Sequence, residues 1–163
     1  MKYVNFCLAA LFSLLLSAGS VKNDIPDTGY YPGESIPDIV FTDLSGDVHH
    51  LHEFKGKKVV VNFWAAYDAP SRANNVRLHN YLSKYHADIA FLSIAFDENI
   101  NVVERTLALD NLDPASHFCE VTGTGSNLYK EFKLNRGFRN YLIDEDGIIT
   151  AMNITPDDLH AIL

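Results

Sequence analysis

The chain has 163 residues, 47% hydrophobic and 21% charged, which fits one globular domain with a real core rather than a disordered chain. A formal charge of −8 denies it the basic surface that nucleic acids and anionic membranes require, so neither is an expected partner. Two cysteines are too few for a disulfide-stapled scaffold.

Lys2 precedes an apolar run from Val4 to Ala18, broken only by Asn5, Ser13 and Ser17 and ending on the small residues Ala18-Gly19-Ser20. The run is short for a membrane span and has the order of an export signal, residues 1–20. Ser20 stands where a lipid-anchored protein would carry cysteine. Cys7 leaves with the signal, so Cys119 is the single cysteine of the exported chain and an intramolecular disulfide cycle is excluded. No membrane span remains after removal.

Residues 21–35, rich in Pro, Gly and Asp, read as a leader draped over a domain of residues 36–163. Ile36 to Phe41 and Val48 to Leu51 flank the turn Ser45-Gly46-Asp47 and predict a hairpin. Val59 to Ala65 is almost continuously β-branched and aromatic, as in a strand buried on both faces. A helix is expected over Pro70 to Tyr85, with Val76, Leu78, Tyr81, Leu82 and Tyr85 on its apolar side, then a buried strand from Ile89 to Phe96. Asn101 to Leu112 fits a helix closed by Asp113-Pro114, His117 to Val121 a short strand, and Ser126 to Phe132 a third helix. Tyr141 to Ile143 and Ile148 to Met152 flank Asp144-Glu145-Asp146-Gly147, and Thr155-Pro156-Asp157-Asp158 starts a capped helix. This order predicts a three-layer α/β/α domain with a mixed central sheet and an N-terminal β-hairpin extension.

Among residues that carry chemistry, His117 and Cys119 fall on one face of their strand, an arrangement that favours a thiolate; Glu120 and the acidic chain oppose it. A buried structural cysteine is the expectation, with a mixed disulfide or an intermolecular bridge as the alternative. His49, His50 and His52 lie beside Asp47, with His50 and His52 on one strand face. Two ligands fall short of a site, so these histidines are expected to be solvated, and no metal or cofactor is expected. His79, His86 and His160 read as surface residues, and Trp64 as core or groove lining. Asn153-Ile154-Thr155 has the form of a glycosylation sequon, but Thr155 has a sufficient role as a helix cap.

The segment Val59-Val-Val-Asn-Phe-Trp-Ala-Ala-Tyr-Asp-Ala-Pro-Ser-Arg72 resembles the active-site strand and helix start of the thioredoxin-like TlpA/ResA group, close to the redoxin and AhpC/TSA families. Gly33-Glu34-Ser35-Ile36-Pro37-Asp38, Phe54-Lys55-Gly56-Lys57 and Leu142-Ile143-Asp144-Glu145-Asp146-Gly147 extend the likeness over nearly all of the exported chain. The resemblance implies a thioredoxin-like fold, thiol–disulfide chemistry and a CxxC motif at residues 68–71. Here that motif is replaced by Asp68-Ala69-Pro70-Ser71. Phe138 stands where the group places a cis-proline; a non-proline cis bond costs about 3 kcal/mol, so a trans Gly137-Phe138 peptide is expected.

A dithiol enzyme needs one thiol activated at a helix N-terminus and a second that resolves the mixed disulfide, and residues 68–71 supply neither. Asp68 instead suits an N-cap, with Pro70 in the first turn, and Ser71 has no neighbouring base to activate it. The leading expectation is a redox-inactive thioredoxin-like protein of the bacterial periplasm or cell envelope, a binding or assembly module that meets an envelope partner through the face of Trp64, Asp68, Ser71 and Phe138. The competing expectation is a thiol–disulfide oxidoreductase or peroxidase using Cys119 alone or with a partner's thiol. Tyr30, Tyr31 and Ile36 of the leader region are further candidate docking residues.

Overall fold

The structure is a computed structural model that describes residues 26–163; the expected export signal and residues 21–25 of the leader lie outside the described residues. Val40–Thr42 (β1) and Val48–His50 (β2) form an antiparallel hairpin. Its turn is built by the Asp43 carboxylate, which accepts the N–H groups of Ser45 and Asp47 at 2.8 and 2.9 Å, while Gly46 takes φ 97°.

The main sheet starts at Val59–Trp64 (β3), buried throughout. Ala69–Tyr85 (α1) leads to Ala90–Ala95 (β4), and Ile100–Asp110 (α2) leads to His117–Cys119 (β5). A short helix, Asn127–Glu131 (α3), precedes the hairpin Asn140–Ile143 (β6) and Ile149–Met152 (β7), and Pro156–Ile162 (α4) closes the chain. The strand order is β5-β4-β3-β6-β7, parallel from β5 to β3 and antiparallel from β3 to β7. That is the expected mixed sheet with a hairpin extension.

Alternation along β3 divides the core. Val59, Val61 and Phe63 pack with Phe41, Phe132 and Tyr141 on the side of the hairpin and α3. Val60 points to the other side, among Leu78 and Leu82 of α1 and Leu159 of α4, and Trp64 packs with Val103 and Leu107 of α2. The result is three layers.

The first strand is shorter than its sequence suggests because the residues before it are drawn elsewhere. Gly33 N–H donates to the Ile149 carbonyl at 2.8 Å, Ile149 N–H to Glu34 at 2.9 Å, and Ile36 N–H to Gly147 at 3.0 Å. Residues 33–36 thus line the free side of β7, and Tyr30 packs edge-on to Phe132 with ring centroids 4.8 Å apart. At the opposite border Asp43 bridges Phe118 of β5.

Two corrections concern α1. Its buried face is Asn75, Leu78, His79 and Leu82, whereas Tyr85 of the expected stripe is exposed. His79 is only 8% exposed, with its ring 5.4 Å from His117 and 6.1 Å from Phe91, so it is not a surface residue. It lies one turn beyond Asn75 on a face that meets the sheet.

Candidate functional site

The face that carries the group's chemistry is formed where β3 turns into α1. Asp68 is the N-cap of α1: its carboxylate accepts the Ser71 N–H at 2.9 Å, with Pro70 in the first turn. The Ser71 hydroxyl donates to the Asp68 carbonyl at 3.1 Å and accepts the Ala65 N–H at 3.4 Å. Both polar side chains are therefore engaged in holding the turn. Arg72 grips Asp110 through two nitrogens at 2.7 and 2.6 Å, which fixes the start of α1 against the end of α2.

Across from this turn, Gly137 takes φ 116° and presents Phe138, whose ring lies 6.0 Å from Phe96, 6.2 Å from Tyr129 and 6.4 Å from Tyr67. Every peptide bond among the described residues is trans, including Gly137-Phe138. Between turn and loop runs an open groove of about 380 Å³, lined by Asp68, Ser71, Asn74, Phe138, Arg139 and Asn153 among others. Tyr67, 64% exposed, precedes the Asp68 cap. Its hydroxyl is held above the ordinary tyrosine value by partial burial and by the negative field of Tyr129, Asp97 and Asp68.

Trp64 does not belong to this face. It is 0% exposed, packed among Val103, Leu107 and Cys119 beneath α2, so its expected place on a partner surface is corrected. The period-2 alternation that sends Phe63 to one side sends Trp64 to the other, under a helix.

Cys119 is 2% exposed and lies in that same cluster. Burial pushes its thiol up to about 11, and the nearby Asp97 charge adds to this; its Sγ–H contacts the Asp97 carbonyl at 3.4 Å. His117 does not supply a compensating cation. Burial holds it down to about 4, and its ring is satisfied as a neutral imidazole: Nδ1–H donates to the Asp113 carbonyl at 2.9 Å and Nε2 accepts from Asn75 at 3.2 Å.

The residues that sequence reasoning missed sit behind the turn. Asn75 on α1 accepts from Asn62 of β3 at 3.0 Å and from the Ser93 hydroxyl of β4 at 2.6 Å while reaching His117 of β5, a buried polar chain across three strands. Asn62 is the single polar residue in an otherwise apolar β3, which is the signal that a partner is waiting for it. Asp97, two residues past the end of β4, accepts the Ala66 N–H at 2.9 Å and has its carboxyl raised by burial.

A second cluster also differs from its sequence reading. Asp47 does not join the hairpin histidines; Asp38 does. Its Oδ2 lies 2.8 Å from His50 Nδ1 and 2.9 Å from His52 Nδ1, and its Oδ1 accepts the His52 N–H at 3.1 Å. Burial pushes the Asp38 carboxyl up, but the hydrogen bonds from His50 and His52 outweigh it and hold the group below the usual carboxylate value. His49 turns away to Asp43, at 3.2 Å. The hairpin register explains the pairing: Val40 pairs with His50, and the same register continued by two residues brings 38 opposite 52.

Comparison with known proteins agrees with this architecture. The redoxin family model matches residues 31–161. A crystal structure of a thioredoxin-like protein from Parabacteroides distasonis has a TM-score of 0.71 and 40% identity, covering 83% of this chain and 96% of that one. The thioredoxin-like protein YneN of Bacillus subtilis is 23% identical over 128 residues, 78% of this chain and 74% of that protein. The thiol-disulfide oxidoreductase ResA of Bacillus cereus is 27% identical over 151 residues, 88% of this chain and 84% of that one. With strand order, groove and family match in agreement, the chain belongs to the redoxin family and is a thioredoxin-like protein of the TlpA/ResA kind.

Proposed function

We propose that this protein does no thiol–disulfide chemistry of its own and uses the groove between Asp68, Ser71 and Phe138 to bind an extended segment of another protein of the cell envelope. The observation that carries this reading is the state of the sulfur and of the helix start together. Asp68 and Ser71 spend their polar atoms on the turn, and the one thiol among the described residues is buried and pushed up to about 11. Thiolate, not thiol, attacks disulfides and peroxides, so at neutral pH Cys119 offers almost no nucleophile. Half-buried Phe138 lines the groove and, with exposed Tyr67 whose ring lies 6.4 Å away, offers apolar anchors of the kind that interfaces use. Residues 1–20 as an export signal, with a periplasmic or envelope location, belong to the same proposal; no helix among the described residues is long and apolar enough to cross a membrane.

The test is photo-cross-linking in cells from position 68 or 138, paired with insulin reduction and peroxide consumption by the purified protein. The expected outcome is a discrete cross-linked partner from both positions and no turnover above background. Turnover that disappears in Cys119→Ser overturns the proposal in favour of an oxidoreductase or peroxidase built on Cys119. Absence of any cross-link from either position removes the groove as a binding face.

A further inference from the structure

We propose that Asp38, His50 and His52 form a binding site for one zinc-type divalent cation at the base of the β1–β2 hairpin. The three side chains converge from separate parts of the chain: Asp38 from the segment before β1, His50 from the end of β2, and His52 from the 3-10 turn Leu51–Phe54 that follows. One ligand atom from each lies within 4.8 Å of the other two. Both imidazole nitrogens already sit 2.8 and 2.9 Å from the same carboxylate oxygen. Ligand bonds of about 2.0–2.2 Å place two donors of one tetrahedral ion about 3.4 Å apart. The pocket therefore has to open by about half an ångström, within the reach of side-chain torsions.

The donor set decides the ion. Two imidazoles and one carboxylate are borderline nitrogen and oxygen ligands, suited to zinc and its late first-row neighbours, whereas calcium and magnesium want oxygen throughout. Three protein ligands leave a coordination position for water. Solvent reaches the cluster, the His52 side chain being 65% exposed, so an ion has a path in. The site also has a backbone frame, because the Leu51 N–H donates to the Ile39 carbonyl at 2.9 Å and the His52 N–H to Asp38. Asp38 and His52 line a cavity of about 160 Å³ together with Lys55, Asp144 and Asp146. Binding to the folded hairpin alone stabilises it by mass action.

The test is zinc titration of the purified protein, made without a histidine tag, by calorimetry and thermal unfolding. One-to-one saturable binding and a zinc-dependent rise in unfolding temperature are expected, and His52→Ala and Asp38→Asn should each weaken binding by at least about tenfold. His49→Ala and His160→Ala should leave the affinity unchanged. Because His52 is exposed, its variant should keep the wild-type circular dichroism, which separates lost ligation from lost folding. Cobalt should give visible d–d bands without a sulfur-to-metal charge-transfer band. The proposal is overturned by absence of saturation at about a hundredfold zinc excess, by unchanged affinity in His52→Ala, or by a sulfur band, which would put the ion on Cys119. None of these outcomes depends on whether the groove binds protein.

Discussion

His117 has no room for a second proton: adding one to Nε2 breaks the hydrogen bond from Asn75 as well as burying a charge. Its folded value of about 4 lies below the ordinary 6.5, so between these limits the unfolded chain binds a proton that the folded one refuses. This contribution to stability is fully present above about pH 6.5 and is lost as the pH falls toward 4, by on the order of 3 kcal/mol. Urea unfolding across that range should show the gap between wild type and His117→Gln narrowing on acidification; a constant gap would refute the assignment. His79, also held down by burial, titrates in both proteins and does not explain a difference between them. Neither His117's partners nor the Asp38 cluster could be read from a local window. Asn75 and Asp38 meet their histidines only after strands pair, and a histidine in a polar stretch otherwise reads as solvated.

The start of α1 shows how an element can keep its form after its chemistry changes. A cap of the Asp68 kind contributes about 1 kcal/mol, so Asp68→Ala should lower unfolding stability by about that amount and Asp68→Asn by much less, measured by denaturant titration. Equal losses in both variants would mean that charge rather than capping is what matters there. The strands and helices themselves were readable from their pattern, because β3 and β4 are apolar but for Asn62 and Ser93 and the caps Asp68, Ser126 and Thr155 are written in residue type. Periodicity found Leu78 and Leu82 on the inner face of α1 but missed Asn75 and His79. Polar Asn75 and His79 are buried there because Asn62, Ser93 and His117 meet them from three strands, a pairing that hydrophobicity cannot announce.

The molecule as a whole is bordered by its own N-terminal stretch, with residues 33–36 along β7 and Asp43 against β5. Unpaired strand edges recruit other chains, so these contacts keep the sheet from growing. Removing residues through 36 should therefore convert a monodisperse species into concentration-dependent oligomers in sedimentation velocity, while a truncation ending at residue 25 should not. A monodisperse product of the longer deletion would show that β7 needs no cover. The same pairing has a consequence in time. Gly33 and Glu34 leave the ribosome long before their partner Ile149, so this border is a contact of very long sequence separation. The domain cannot finish closing until β7 has been made, and the outer side of residues 33–36 must wait unpaired for that strand.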